Sequence, residues 1–116
     1  MVPPMNYRAL CLLALIAGSP ALAGASNFTL VNGTGAALSE LSVRRAGTQE
    51  WKALGTAPGP GARGSITFKD PDCAFDIRAK LGDGQSVTWA SVNLCDVKSV
   101  TLNRDAAAGA WVDYDQ

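Results

Sequence analysis

Histidine is absent from this chain of 116 residues. Without imidazole, acid/base chemistry near neutral pH and most transition-metal sites lose their usual residue. An excess of charge is missing too, because Lys and Arg together number 10 and Asp and Glu together also number 10. No net field exists to draw nucleic acid or an anionic membrane surface, which disfavours a nucleic-acid role. A membrane-spanning run is likewise lacking: the longest apolar stretch, 9–17, has roughly nine residues where about 20 are needed. No helical period of useful length, internal repeat or second domain emerges, and the length suits one domain.

What the chain does have begins with an address. Arg8 supplies a positive segment, 9–17 an apolar segment, and Ala21-Leu22-Ala23 a small-residue cleavage box. Together they read residues 1–23 as a secretory signal peptide cut after Ala23, with Met5 an alternative start. Cys11 lies in the apolar segment behind Arg8-Ala9-Leu10, not in a lipoprotein-processing context. Export leaves a domain of 24–116, small enough for a covalent staple to matter. Its two cysteines, Cys73 and Cys95, are expected to form a disulfide in an oxidising compartment. A redox or metal pair would be closer in sequence or joined by histidines.

Short β-rich runs separated by Gly, Pro, Asn and Asp clusters fill the domain, which predicts an all-β fold. The expected architecture is a small antiparallel β-sandwich of six or seven strands, immunoglobulin-like in general plan, with one disulfide. Strands are expected at 27–31, 38–44, 64–69 and 97–102, with a further edge strand at 110–114. The Ala57-Pro58-Gly59-Pro60-Gly61 cluster must be a surface loop, since proline lacks a ladder donor. The clearest local signal is a hairpin around Gly82-Asp83-Gly84. A three-residue loop there sets Val87 opposite Ala79 and Trp89 opposite Ile77, and directs Asp76, Arg78 and Lys80 to solvent. Beyond Trp89 the apolar parity changes, so a bulge near Ala90-Ser91 is expected to bring Cys95 level with Cys73. The expected core holds Phe28, Leu41, Val43, Ile66, Phe68, Phe75, Ile77, Val87, Trp89, Val100 and Leu102.

In order, Asn32-Gly33-Thr34-Gly35, Leu41-Ser42-Val43, Trp51, Pro60-Gly61, Ile66-Thr67-Phe68, Cys73-Ala74-Phe75-Asp76-Ile77-Arg78, Asp83-Gly84, Trp89 and Val92-Asn93-Leu94-Cys95 form a pattern. The chain resembles, on these residues, a group of small uncharacterised exported bacterial β-domain proteins with a signal peptide. The likeness extends to about Leu102, and the Cys73 to Cys95 spacing is its most specific part. It implies an exported bacterial β-domain and transfers no catalytic or ligand residue.

Each candidate site has a plainer reading beside it. Asp70, Asp72, Asp76 and Asp83 could serve calcium, but the D-x-D-x-D-G pattern with its distal Glu is missing and turn chemistry or a cross-strand base accounts for each. Serine nucleophiles lack the usual base. Asn27-Phe28-Thr29 and Asn32-Gly33-Thr34 match the glycosylation acceptor pattern and read here as strand and turn residues. Trp89 belongs to the core by parity. Trp51 is either a lid on one end of the sandwich or an exposed anchor, with Arg44-Arg45 adding an electropositive spot.

The expectation is therefore a non-enzymatic binding or interaction module, periplasmic or secreted, without cofactor, metal or catalytic residues. Its partner would be an envelope or extracellular protein or glycan, met through Trp51, Thr34 and Arg44, the proline-rich loop or a strand edge. The alternative is a small hydrolase or calcium-dependent module using the clustered aspartates.

Overall fold

A computed structural model describes residues 24–116, so the signal-peptide reading of 1–23, including Cys11, lies outside the described residues. Eight strands follow in chain order: β1 (Phe28–Gly33), β2 (Leu38–Arg45), β3 (Lys52–Ala53), β4 (Arg63–Ile66), β5 (Ala74–Leu81), β6 (Ser86–Asn93), β7 (Ser99–Asp105) and β8 (Gly109–Asp115). They form two four-stranded sheets, β4-β1-β7-β8 and β3-β2-β5-β6. The fold is the all-β sandwich that the spacing of turns and alternating runs predicts.

Period-two patterning explains the strands that build the core. Phe28 and Leu30 in β1, Leu41 and Val43 in β2, Phe75, Ile77 and Ala79 in β5, and Val100 and Leu102 in β7 are all buried in one core. Trp89 is its largest fully enclosed side chain, and its indole Nε1–H donates to the Asn103 carbonyl at 2.8 Å. That bond satisfies the one polar atom of an otherwise apolar body and ties β6 to the facing sheet. Edge-to-face stacking runs from Phe28 to Phe68 and on to Phe75, with centroids 6.3 and 5.2 Å apart. Phe68 and Val87 pack against the core while only half-buried, and Leu30, Leu54, Val92 and Leu94 complete it.

The hairpin register is the expected one: Ala79 faces Val87 and Ile77 faces Trp89. Next, Phe75 faces Val92, so Ala90 and Ser91 stand against Asp76 alone. This is the two-against-one bulge that the parity change requires, with Ser91 at φ 54°. A second bulge separates Ser39 from Ser42, with Glu40 at φ 50°. It turns Leu38 toward the same core as Leu41 and Val43, although their parities differ.

One pairing departs from the antiparallel expectation. β1 lies antiparallel to β4 but parallel to β7. No hairpin links these two strands, and β7 enters from the other sheet after β6, so connection length leaves its direction open. The tail does form an edge strand, β8, longer than expected and paired along its whole length with β7.

Cys73 and Cys95 are joined in a disulfide with Cα atoms 5.1 Å apart. They sit just outside the open end of the β5–β6 hairpin, where the Leu94 amide also donates to the Cys73 carbonyl. The segment before β1 is fastened beside them, because Ala25 exchanges backbone hydrogen bonds with Asp70 and bridges toward Cys95. Gly24 passes so close to the Asp70 carbonyl that a Cβ would collide with it.

Candidate functional site

On the outer face of the β3-β2-β5-β6 sheet, away from the core, three side chains meet. Trp51 leads into β3, Arg44 lies on β2 and Arg78 on β5. The guanidinium carbons of Arg44 and Arg78 stand 4.5 and 4.0 Å from the centre of the Trp51 ring. Register explains the meeting: Arg44 faces Asp76 and Arg78 faces Ser42, so the two arginines are diagonal neighbours on one face. Each guanidinium lies within the range at which the ring quadrupole attracts a cation. Trp51 is half-buried by this stacking, neither a core residue nor a lid on the sandwich end.

Asp76 anchors the group. Sequence parity directs it to solvent, but its carboxylate is buried, because the bulge folds the Ser91 amide over it. Ser91 N–H donates to Oδ1 at 2.9 Å and Arg44 Nε–H donates to Oδ2 at 2.8 Å. The Ser91 hydrogen bond holds the Asp76 pKa below the usual carboxylate range, against the opposing effect of burial and with further help from Arg44. The pair holds Arg44 through Nε, and among the described residues its two terminal nitrogens make no hydrogen bond. Arg78 is also not fully solvated, as parity alone would have it, but half-buried against the indole. Among the described residues Arg78 carries no ion pair, whereas Arg44 has Asp76, Arg45 has Asp70 and Asp72, and Lys80 has Glu40.

A cleft of about 460 Å³ adjoins this face, between the β2–β3 edge and the Thr67–Asp70 segment. Its charged lining comprises four cations, Arg44, Arg45, Lys52 and Lys69, against two carboxylates, Glu50 and Asp70, over a floor that includes Phe68 and Phe75. Trp51 and Arg78 do not line this cleft, which shares only Arg44 with the stacked group: Lys52 stands opposite core-facing Val43, so the cleft opens on the other side of the β3 edge.

The structure brings two of the three proposed contact residues together, Trp51 and Arg44. Thr34 belongs elsewhere. It lies beyond the Leu38 end of β2, and the strand from Leu38 to Arg44 spans about 20 Å at roughly 3.3 Å per residue. Its hydroxyl is occupied within its own turn, donating to Asn32 Oδ1 at 2.6 Å and accepting from the Ala36 amide at 3.2 Å. Asn32 is fully buried there and donates to the Ala36 and Pro58 carbonyls, which locks the turn to the proline-rich loop. Arg78 is the residue that sequence reasoning missed as a site member, while Asp76, for which a cross-strand base was expected, finds it in Arg44 but is buried rather than turned to solvent. The parity break at Ala90-Ser91 signals the burial of Asp76, since it marks where an extra amide needs an acceptor, whereas no local signal marks Arg78.

The clustered aspartates do not converge. Asp70 and Asp72 both pair with Arg45, Asp76 with Arg44, and Asp83 accepts the Gln85 amide in the hairpin turn. Burial works against Asp70, yet the Asp72 amide and Arg45 together hold its pKa below the usual range. Among the described residues no three His, Cys, Asp or Glu side chains gather in a metal-holding group, and no helix is long and apolar enough to cross a membrane.

No family model matches the chain, and no curated protein matches it. Among solved structures, the NMR structure of a protein from Eubacterium rectale is similar, with a TM-score of 0.54 and 17% identity, covering 85% of this chain and 96% of that one. At this identity the likeness bears on the fold alone.

Proposed function

We propose that this chain is an exported, non-enzymatic binding module of the bacterial envelope or exterior, and that the outer face of the β3-β2-β5-β6 sheet is its contact surface. One observation carries the reading. A tryptophan that contributes nothing to the core is held on that face by two arginines, one of them fixed by a buried carboxylate. Indole and guanidinium groups are the side chains most often found at energetic centres of binding surfaces. The disulfide between Cys73 and Cys95 is in keeping with folding in an oxidising compartment, and the resemblance to small exported bacterial β-domains points the same way.

The test is affinity capture from envelope extract with the exported, disulfide-bonded protein, reading both proteins and glycans in the eluate, beside a Trp51→Ala variant. A partner retained by the wild type and lost by Trp51→Ala is the expected result. Equal recovery of every component by both proteins would refute the role of this face.

A further inference from the structure

Charge is distributed differently on the two outer faces of the sandwich. On the β3-β2-β5-β6 sheet the middle strands themselves carry it, as Arg44, Asp76, Arg78 and Lys80. On the β4-β1-β7-β8 sheet the register sets side chains in lateral rows across all four strands. One row reads Ser65, Thr29, Ser99, Asp115, and the next Arg63, Val31, Thr101, Asp113. The alternate positions Phe28, Leu30, Val100 and Leu102 are buried, so these rows lie on the outer face. A third row holds Gly33, Asn103 and Trp111, and the Pro60-Gly61 turn closes it on the β4 side, where the Gly61 amide donates to the Asn32 carbonyl at 2.8 Å.

β1 and β7 therefore give this face an uncharged centre, and charge is confined to its two edges, basic at Arg63 on β4 and acidic at Asp113 and Asp115 on β8. Among the described residues none of these three has an ion pair. Asp113 accepts from the Asn103 side-chain amide at 2.9 Å, which keeps its carboxylate over this face, and Trp111 stands exposed beside it.

Such a face complements itself under one symmetry operation. With two copies packed face to face, a two-fold axis parallel to the strands carries β4 of each over β8 of the other and keeps every row over itself. Arg63 and Asp113 share a row, so each arginine meets the other copy's aspartate, twice per dimer. The same operation sets Trp111 over the other copy's Pro60-Gly61 turn, where Gly61, at φ 76°, has open space in place of a Cβ. An axis perpendicular to the strands would instead bring like-charged edges together.

We infer that two copies of this chain associate through their β4-β1-β7-β8 faces, in an isologous dimer with its axis along the strands and Arg63 of each copy paired with Asp113 of the other. Aligned packing of two sheets, with strands within about 30° of each other, is compatible with this arrangement. Four strands about 4.8 Å apart and three rows about 7 Å apart give roughly 400 Å² per copy, half of the about 800 Å² that each partner gives to a stable complex. The dimer is therefore weak, with a Kd on the order of 0.1 mM. It leaves the Trp51 faces outward on opposite sides, and it does not depend on what that face binds.

Sedimentation equilibrium of the full chain after export, from about 10 µM to about 2 mM, tests it beside nitrogen-15 spectra over the same range. The mass should rise toward two copies and the association should weaken with salt. The Trp111 indole signal should move with concentration while those of Trp51 and Trp89 stay in place. Arg63→Asp and Asp113→Arg, each alone, should weaken association by about tenfold, because each turns two attractive contacts into two repulsive ones. The two substitutions together exchange the charges and should restore it. Both positions are exposed, and thermal melts check folding; a variant that melts early is replaced by Arg63→Gln or Asp113→Asn, each expected to weaken association less. A monomer throughout the range, association unchanged by the folded single variants, or a double variant no stronger than the singles would each overturn the inference. Loss of the Trp51-dependent partner in the capture experiment leaves this dimer standing, and a monomer leaves the Trp51 reading standing.

Discussion

Replacing Asp76 by Ala separates the two contributions that build the outer face. The wild-type carboxylate accepts from the Ser91 amide and from Arg44 Nε, and it is 6% exposed. Removing it leaves an amide without an acceptor inside the bulge, at about 1–3 kcal/mol. It also strands Arg44, and breaking a buried pair from one side costs about 3–5 kcal/mol. The Arg44 side chain is 24% exposed and can recover water, so the two effects overlap. A net loss of about 2–4 kcal/mol is expected, a large share of the roughly 5–15 kcal/mol that holds a small domain. Asp76→Asn should cost less, since its amide oxygen still accepts from Ser91 while its nitrogen faces the Arg44 donor. The pH dependence follows from the direction of the shift. A carboxylate with a depressed folded pKa stabilises fully above its unfolded value near 3.9, and that stabilisation is lost as pH falls through the lower folded value. Urea denaturation of the oxidised protein between pH 7 and pH 2 should therefore show wild-type stability falling below about pH 4, with a shallower fall in Asp76→Asn. Asp70 is depressed as well and contributes to the acid slope of both proteins. An Asp76→Ala variant within about 0.5 kcal/mol of wild type at pH 7, as for an ordinary surface substitution, would refute the assignment of Asp76 as the anchor.

Loss of the disulfide through Cys95→Ser, which opens a loop of sequence separation 22, should lower stability by about 3 kcal/mol in the chain-entropy account; an unchanged melting temperature would contradict it. Trp89→Ala should cost about 3–5 kcal/mol because it empties the centre of the core, whereas Trp51→Ala should cost about 1–2 kcal/mol, the scale of its cation–π contacts. Similar losses for the two in thermal or urea unfolding would mean that Trp51 is structural after all. Asn32→Ala should destabilise by about 1–3 kcal/mol, as the Thr34 amide and the Ala36 and Pro58 carbonyls lose their partner, and faster proteolysis in the 57–61 loop should accompany it.

Much of the fold was legible because β-structure writes itself in parity. Phe75, Ile77, Val87 and Trp89 set the hairpin register, and the slip at Val92 and Leu94 announced the bulge. What parity could not supply was the consequence of a bulge for the residue opposite it. Asp76 alternates as a solvent-facing position and is nevertheless buried, because the displaced Ser91 amide needs an acceptor. Arg78 followed the same pattern, and its stacking partner Trp51 comes from another strand pairing that no local signal marks. Asn32 reads as an ordinary turn residue, and only the approach of Pro58, 26 residues away, reveals it as a buried hub. The parallel β1–β7 pair was equally hidden, since nothing local joins those strands.

Three tryptophans give three indole N–H signals, and their settings differ sharply. Trp89 is enclosed and bonded to Asn103, Trp111 is 43% exposed on β8, and Trp51 lies against two arginines. Nitrogen-15 correlation spectra of the exported protein, titrated with the partner fraction recovered from envelope extract, therefore report directly on which face engages. The indole signal of Trp51 and the side-chain Nε signals of Arg44 and Arg78 should shift together while Trp89 stays in place. Movement of Trp111 with Trp51 unmoved would place the contact on the β8 edge and contradict the account.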